Sequence, residues 1–159
     1  MFQTELYKGS LEEKYKMVTK QLDALLKDEN DLIANLANAS ALLSRFLDNV
    51  NWVGFYLLKE DELVLGPFQG LPACVRIPIG KGVCGTAVKK NETMLVPDVH
   101  QFPGHIACDA ASRSEIVIPV RTDGIIVAIL DIDSPILARF TPEEQFHLEK
   151  FVQVLEQHI

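Results

Sequence analysis

Hydrophobic residues recur at helical spacing in two stretches near the amino terminus. Ser10 and Glu13 have the spacing of a capping box, which predicts that a helix begins there and runs to about Lys27. Its apolar stripe consists of Leu11, Tyr15, Val18, Leu22 and Leu25. A second helix is predicted from Asp31 to about Leu47. Its apolar side consists of Leu32, Leu36, Leu43 and Leu47. These stripes predict either packing within the fold or the seam of a homodimer.

The middle of the chain has the short apolar runs and β-branched residues of strands. Strands are predicted at 52–58, 63–68, 74–79, 94–97, 115–120 and 125–133. The third of these would begin at Cys74. An acidic loop at 60–62 separates the first two strands, and Asp123 with Gly124 forms a turn between the last two.

A last helix follows the strands. Thr141 is the predicted N-cap, Pro142 takes the first helical position, and Glu144 is expected to close a capping box. Helices at both ends with about six strands between them predict an α+β fold with a mainly antiparallel sheet. We expect one domain over residues 1–159, with amino-terminal helices to about residue 48 and the sheet, loop and last helix over 50–155.

Composition excludes several classes of function. The net charge is −7 and no basic stripe is present, so nucleic acid is not an expected partner. The longest apolar runs, such as Ile125–Leu130, are too short to span a membrane. The first ten residues contain Glu5 and no apolar core, so a secretory signal is not expected. We therefore expect a cytoplasmic protein.

Residues Gly80–Gly85 match the pattern G-x-G-x-x-G that binds dinucleotides. A dinucleotide site also needs a long crossover helix, whereas only Thr86–Lys90 is predicted to be helical here, and Pro78 interrupts the incoming strand. We therefore expect no such cofactor. The glycines indicate either a tight turn with positive φ angles or a flexible turn that carries Cys84 toward a partner thiol.

The segment 98–114 has no periodicity, and structureless segments of that length are usually functional or disordered. Cys108 lies in it between Ala107 and Asp109, and Arg113 could stabilise its thiolate. Cys108 is therefore a candidate nucleophile, although a free cysteine can equally be a small buried hydrophobic residue. An odd count of three cysteines argues against a static disulfide framework.

A zinc site is the alternative use of these cysteines. Three cysteines with His100 or His105 could supply four ligands. Structural zinc ligands usually come in pairs two to four residues apart, whereas the cysteines here are 10 and 24 residues apart. We therefore expect no metal, and interpret both histidines as hydrogen-bonding groups of the loop.

Strand alternation places Asp131 and Asp133 on one face, together with Val127 and Ile129. Either the strand emerges into solvent at Asp131, or the two acids form a site that receives an ammonium group or holds a proton.

Glu115 on the preceding strand could join the two aspartates. A regular two-residue turn would pair Thr122 with Ile125, and Glu115 would then lie opposite Ile132 and point away from them. A three-residue loop or a bulge would bring Glu115 opposite Asp131, on the same face. Convergence of the three acids therefore predicts an irregular hairpin.

Five strings of the sequence together resemble the free methionine-(R)-sulfoxide reductase family, which is built on a GAF domain. They are NWVGFYLL (51–58), LGPFQG (65–70), ACVRIPIGKGVCGTAV (73–88), VPDVHQFPGHIACDAASRSEIVIPV (96–120) and LDIDSP (130–135). The resemblance spans about residues 50–155. It implies a GAF-like fold and reduction of free, not protein-bound, L-methionine (R)-sulfoxide, without a metal or organic cofactor.

The resemblance also implies roles for particular residues. Cys108 would be the nucleophile, and Cys84 and Cys74 would be the resolving cysteines in an order that stays open. The substrate site would be lined by Glu115, Asp131, Asp133 and, against the S-methyl group, Trp52.

In this scheme a protonated Glu115 or Asp133 donates the proton, and Asp131 binds the substrate ammonium. A dithiol reductant such as thioredoxin would restore the thiols. GAF domains also serve as sensors that bind a small ligand without reacting, which is the alternative function.

Overall fold

Two capped helices open the part of the chain that the structure describes, which is residues 7–159 of a computed structural model. Helix α1 is Leu11–Leu26 and helix α2 is Leu32–Phe46. Both halves of the Ser10 capping box are formed, as predicted. Most of the segment considered for a secretory signal, residues 1–6, lies outside the described residues.

Six strands form one antiparallel sheet. They are β1 (Trp52–Lys59), β2 (Glu62–Gly70), β3 (Arg76–Pro78), β4 (Met94–Val96), β5 (Ser114–Thr122) and β6 (Ile125–Ser134). Their order across the sheet is β3-β2-β1-β6-β5-β4, and every neighbouring pair is antiparallel. The predicted α+β class and antiparallel sheet are thus confirmed.

The predicted start of the third strand at Cys74 is wrong. Strand β3 begins at Arg76, and its three residues pair with β2. The carbonyl of Cys74 instead accepts a hydrogen bond from the Tyr56 hydroxyl at 2.9 Å. Cys74 therefore lies in a loop that a side chain of the sheet holds in place.

Each face of the sheet carries its own hydrophobic core. The larger one lies under α1, α2 and helix α4 (Pro142–Glu156). It buries most of both predicted helical stripes, through Tyr15, Val18, Leu22, Leu36, Leu43 and Leu47, with Leu25 and Leu32 partly buried against it and Leu11 exposed. These buried positions therefore pack within the fold. The smaller core lies on the opposite face and contains Trp52, Tyr56, Ile77, Cys84, Val117 and Ile129.

Helix α4 begins as predicted after Thr141, whose hydroxyl accepts from the backbone N–H of Glu144 at 3.1 Å. The prediction that Glu144 closes the capping box is wrong. Its buried carboxylate accepts from the Tyr15 hydroxyl and from Arg139, both at 2.7 Å. Both carboxylate oxygens are thus taken by tertiary contacts, and Glu144 joins α4 to α1.

Helix α3 is Gly82–Lys90, so the prediction of a turn through Gly85 with helix only from Thr86 is wrong. Gly85 lies in the first turn of this helix because the strand comes so close. A Cβ there would lie 2.4 Å from the carbonyl oxygen of Pro78. Cys84 is consequently fixed and buried within a helix, and the flexible-turn interpretation is wrong.

The β5–β6 hairpin is irregular, as convergence of the three acids required. Thr122 pairs with Ile125 across the turn, but Val120 pairs with Ala128 and Arg121 with Ile126. One residue of β6, at position 127, is therefore unpaired and forms a bulge.

This bulge places Glu115 opposite Asp133, not opposite Asp131 as expected. The extra residue lies in β6, so it raises every later partner number by one. It also turns Val127 toward the larger core, so the prediction that Val127 shares a face with the aspartates is wrong. No helix within residues 7–159 is long and apolar enough to cross a membrane.

Candidate active site

A pocket opens on the smaller core, between the sheet, the start of α3 and the loop that contains Cys108. Its walls surround about 490 Å³ of space between the atoms, part of it open to solvent. Six of the seven predicted site residues line it: Trp52, Cys84, Cys108, Glu115, Asp131 and Asp133. The seventh, Cys74, is bonded to Cys108. The structure therefore brings all seven together.

Three carboxyl groups enter this pocket from adjacent strands. Glu115 on β5 and Asp133 on β6 are direct partners, and Asp131 lies two positions along β6 on the same face. Asp131 is only 6% exposed, so the interpretation that the strand emerges into solvent there is wrong.

Burial and mutual repulsion favour the protonated forms of these acids. Burial raises the pKa of Glu115 well above its ordinary value, and the charges of Asp131 and Asp133 raise it further. Burial, reinforced by Asp131, likewise raises the pKa of Asp133. Burial also raises the pKa of Asp131. These raised pKa values suit the cluster to proton donation.

Cys84 lies against these acids. Its thiol donates a hydrogen bond to Oε1 of Glu115 at 3.8 Å. Burial raises the pKa of the Cys84 thiol well above its usual range, and the nearby Asp131 and Glu115 add to that effect. A thiol in this setting is a weak nucleophile, because thiolate formation is disfavoured.

Cys74 and Cys108 form a disulfide that joins two loops at the pocket, with their Cα atoms 5.5 Å apart. The alternative that Cys108 is merely a buried hydrophobic residue is therefore wrong. The bond also occupies two of the three thiolates that a zinc site with three cysteines would need. Arg113 has an exposed side chain and does not line the pocket. Cys108 is disulfide-bonded here, so stabilisation of its thiolate by Arg113 stays a prediction.

Trp52 forms an apolar wall of the pocket. Its indole stacks on Phe68 with ring centroids 5.1 Å apart, and its N–H donates to the carbonyl of Leu71 at 3.1 Å. Gly54 makes this arrangement possible, because a Cβ there would lie 2.8 Å from the indole and 2.3 Å from the Cβ of Phe68. The indole is therefore held flat against the sheet.

The loop after Cys108 is held by a contact that the sequence did not reveal. The side-chain N–H₂ of Asn51 donates to Asp109 Oδ2 at 2.9 Å and to Ser112 Oγ at 3.1 Å. Asp109 Oδ1 in turn accepts from the backbone N–H of Ala111. Asn51 and Asp109 are 58 residues apart, and no periodicity relates them.

Two other pocket residues were also missed as site residues. Tyr56 follows Trp52 by four positions on the same strand, so strand alternation could have placed it on the same face. His105 lines the pocket as well, and burial lowers the pKa of its imidazole.

The fold and this pocket define a protein class that the sequence comparisons bear out. A family model described as GAF domain matches residues 21–159. Protein YtsP of Bacillus subtilis is 57% identical over 98% of this chain and 97% of its own length. Free methionine-R-sulfoxide reductase of Escherichia coli is 54% identical over 89% of this chain and 86% of its own length.

A solved structure agrees with these sequences. Free methionine-R-sulfoxide reductase from Neisseria meningitidis, in complex with its substrate, is 43% identical and superposes with a TM-score of 0.94. The match covers 99% of this chain and 95% of that one. The chain belongs to the free methionine-R-sulfoxide reductase family of GAF-domain proteins.

Proposed function

We propose that this protein reduces free methionine (R)-sulfoxide to methionine, with cysteine thiols as the source of electrons. The observation that carries the proposal is the Cys74–Cys108 disulfide beside a pocket of buried acids whose pKa values burial raises. A disulfide is the product expected of such a reduction. The Escherichia coli and Neisseria meningitidis relatives bear the name of this activity.

The chemistry follows from the positions of these groups. The Cys108 thiolate attacks the sulfoxide sulfur while Glu115 gives its proton to the oxygen, and methionine leaves with a sulfenic acid remaining on Cys108. The Cys74 thiol then attacks the sulfenic sulfur, which releases water and forms the disulfide. The observed bond favours Cys74 as the first resolving cysteine and leaves Cys84 in contact with the proton donor.

The same walls would select a free amino acid. Asp131, when ionised, would bind the substrate ammonium, with Asp133 beside it, and Trp52 would cover the S-methyl group. A methionine within a peptide has no ammonium group at its α-nitrogen, so the buried acids would have no cationic partner for it.

The thiols must then be regenerated. A dithiol reductant of the thioredoxin type would attack the Cys74–Cys108 bond and leave two thiols and an oxidised reductant. Such reductants operate in the cytosol, so we propose that the protein is cytoplasmic. We also propose that the whole reaction takes place within one GAF-like domain. A homodimer stays a prediction, which light scattering of the purified protein would check.

The test is turnover of the free (R)- and (S)-sulfoxides and of an (R)-sulfoxide within a peptide, with dithiothreitol as reductant. We expect activity on the free (R)-form alone. Cys108→Ser should abolish it, and Cys74→Ser, without added reductant, should release one methionine per chain and leave a trappable sulfenic acid. Activity retained in Cys108→Ser contradicts the mechanism, and binding without turnover in the wild type favours the sensor alternative.

A further inference from the structure

Three atoms that can each bind a metal ion meet at the floor of the pocket. They are the sulfur of Cys84 and one carboxylate oxygen each from Glu115 and Asp131, and all lie within 4.8 Å of one another. All three residues are buried, with 5%, 5% and 6% of their surfaces exposed. They come from α3, β5 and β6, so the fold itself holds them together.

A separate feature indicates that this cluster lacks a ligand. Oδ1 of Asp131 is buried and has no hydrogen-bond partner anywhere in residues 7–159. A buried acceptor without a donor is costly, and native structures rarely leave one unless a ligand, ion or water completes it. Asp131 lines the pocket, which gives a ligand a path to that oxygen.

From these contacts we propose that Cys84, Glu115 and Asp131 bind one Zn²⁺ ion when the pocket is free of substrate. Zinc prefers sulfur at about 2.3 Å and carboxylate oxygen at about 2.0–2.2 Å in a tetrahedron. In that geometry a sulfur and an oxygen ligand lie roughly 3.6 Å apart. The Cys84 sulfur and Glu115 Oε1 are already 3.8 Å apart.

The donor set determines which cation fits. One thiolate with two carboxylates suits zinc and its thiol-binding analogue cadmium, whereas magnesium and calcium require oxygen ligands throughout. Zinc would replace the protons of the thiol and the two carboxyl groups, which pass to water. No electron moves in this step, and a water molecule would complete the tetrahedron.

The ion would occupy the place of the substrate. The site needs Asp131 and Glu115 for the metal, and these are the acids that the proposed function assigns to the substrate ammonium and to proton donation. Zinc would therefore compete with methionine sulfoxide and raise the apparent KM with little change in kcat. The competition with methionine sulfoxide rests on the proposed function. The affinity for zinc does not.

The binding test uses the oxidised protein, in which Cys84 is the single free thiol of the chain, since residues 1–6 contain no cysteine. Cadmium is titrated first, and the ultraviolet thiolate-to-cadmium charge-transfer band is recorded. We expect the band to saturate at one cadmium ion per chain and to disappear when Zn²⁺ is added. Cys84→Ser should abolish the band.

Zinc affinity is then measured by competition with a chelator. Asp131→Asn and Glu115→Gln should each weaken the zinc affinity by about 10- to 100-fold or more. That range is the cost of losing a residue that only hydrogen-bonds to a metal ligand. Asp61→Asn, at an exposed acid between β1 and β2, is the matched control and should leave the affinity unchanged. Circular dichroism of each variant establishes that it is folded, and Cys84→Ala replaces Cys84→Ser if the latter does not fold.

A wild-type protein that gives no band, or a band that persists without Cys84, overturns the inference. A loss of affinity in Asp61→Asn equal to that in Asp131→Asn also overturns it. These failures differ from failure of the proposed function. An enzyme that reduces the sulfoxide but binds no cadmium contradicts the metal site alone, and a protein that binds cadmium at Cys84 but turns over no sulfoxide contradicts the reductase alone.

Discussion

Asn51 holds Asp109 through a hydrogen bond of 2.9 Å, and Asp109 is the residue that follows Cys108. Asn51 is itself fixed, because its backbone N–H donates to the carbonyl of Asp133 at 2.9 Å. The asparagine therefore links the end of β6, where one of the acids lies, to the loop that presents the proposed nucleophile. This makes Asn51 a positioning residue.

Replacing Asn51 by alanine should slow the chemical step more than it weakens substrate binding. A displacement of the nucleophile by about 1 Å can cost about 100-fold in rate, so kcat should fall by up to that factor while KM changes little. Steady-state kinetics with free methionine (R)-sulfoxide would measure the split. Asn38→Ala, at an exposed position of α2, is the control. Equal kcat values for Asn51→Ala and wild type would contradict the positioning role.

Glu115→Gln should abolish most of the activity and keep the fold. Glutamine has the shape of a protonated glutamate but cannot give up its proton, and general acid catalysis contributes about 100- to 10,000-fold. We expect kcat to fall within that range while the thermal midpoint stays near that of the wild type. Glu143→Gln, at an exposed acid of α4, should leave kcat unchanged. A fully active Glu115→Gln would assign the proton to Asp133 instead.

The buried acids should make the protein less stable as the pH rises. Burial raises the folded-state pKa of Glu115 and Asp133 above their unfolded values of about 4.5 and 3.8. The stability that the protonated side chains of Glu115 and Asp133 contribute is therefore fully present below the unfolded pKa values. It is lost as the pH rises toward the folded pKa values. Each such group reduces the unfolding free energy by up to about 1.4 kcal/mol per pH unit.

Urea unfolding between pH 5 and 8 would measure this dependence. Asp133→Asn and Glu115→Gln should each flatten the slope, because each removes one group that would otherwise have to ionise. Identical slopes in both variants and in the wild type would mean that the cluster is more solvated than its burial indicates.

Glu144→Gln should destabilise the protein without affecting its chemistry. The substitution removes the charge that pairs with Arg139 on the face of the sheet opposite the pocket. Breaking a buried ion pair costs about 3–5 kcal/mol, and we expect the lower end because Asp48 still pairs with Arg139. Denaturant unfolding gives the loss of stability. Activity per folded molecule should equal that of the wild type, and a large fall in kcat would contradict the separation of the two faces.

Local signals in the sequence were sufficient for much of the fold. The caps at Ser10 and Thr141 predicted where two helices begin, because a cap is a contact between residues three positions apart. The hairpin irregularity followed from a conditional argument, since strand alternation leaves only two outcomes for Glu115. The resemblance of five sequence strings supplied the site residues that alternation alone could not.

Contacts between distant segments could not be predicted in the same way. Helix α3 begins at Gly82 although glycine disfavours a helix, and Gly85 is needed there because the carbonyl of Pro78 comes too close for a Cβ. The use of Glu144 by Tyr15 and Arg139 depends on the packing of α4 against α1. The hold of Asn51 on Asp109 likewise exists only once β1 and the loop have met.

Because of the bulge at position 127, the active site depends on how many residues of the β5–β6 hairpin lie between its acids. Side chains of a strand alternate between its two faces, so the acids of β5 and β6 meet only while the number of residues between Glu115 and Asp133 matches the number that the hairpin leaves unpaired. Gain or loss of a single residue in the regularly paired part of either strand, with the bulge and the turn kept as they are, would separate them although every acid and cysteine remained in the sequence. Gain or loss of two residues would keep them facing each other. A relative could therefore lose the reaction with its whole set of reactive side chains intact.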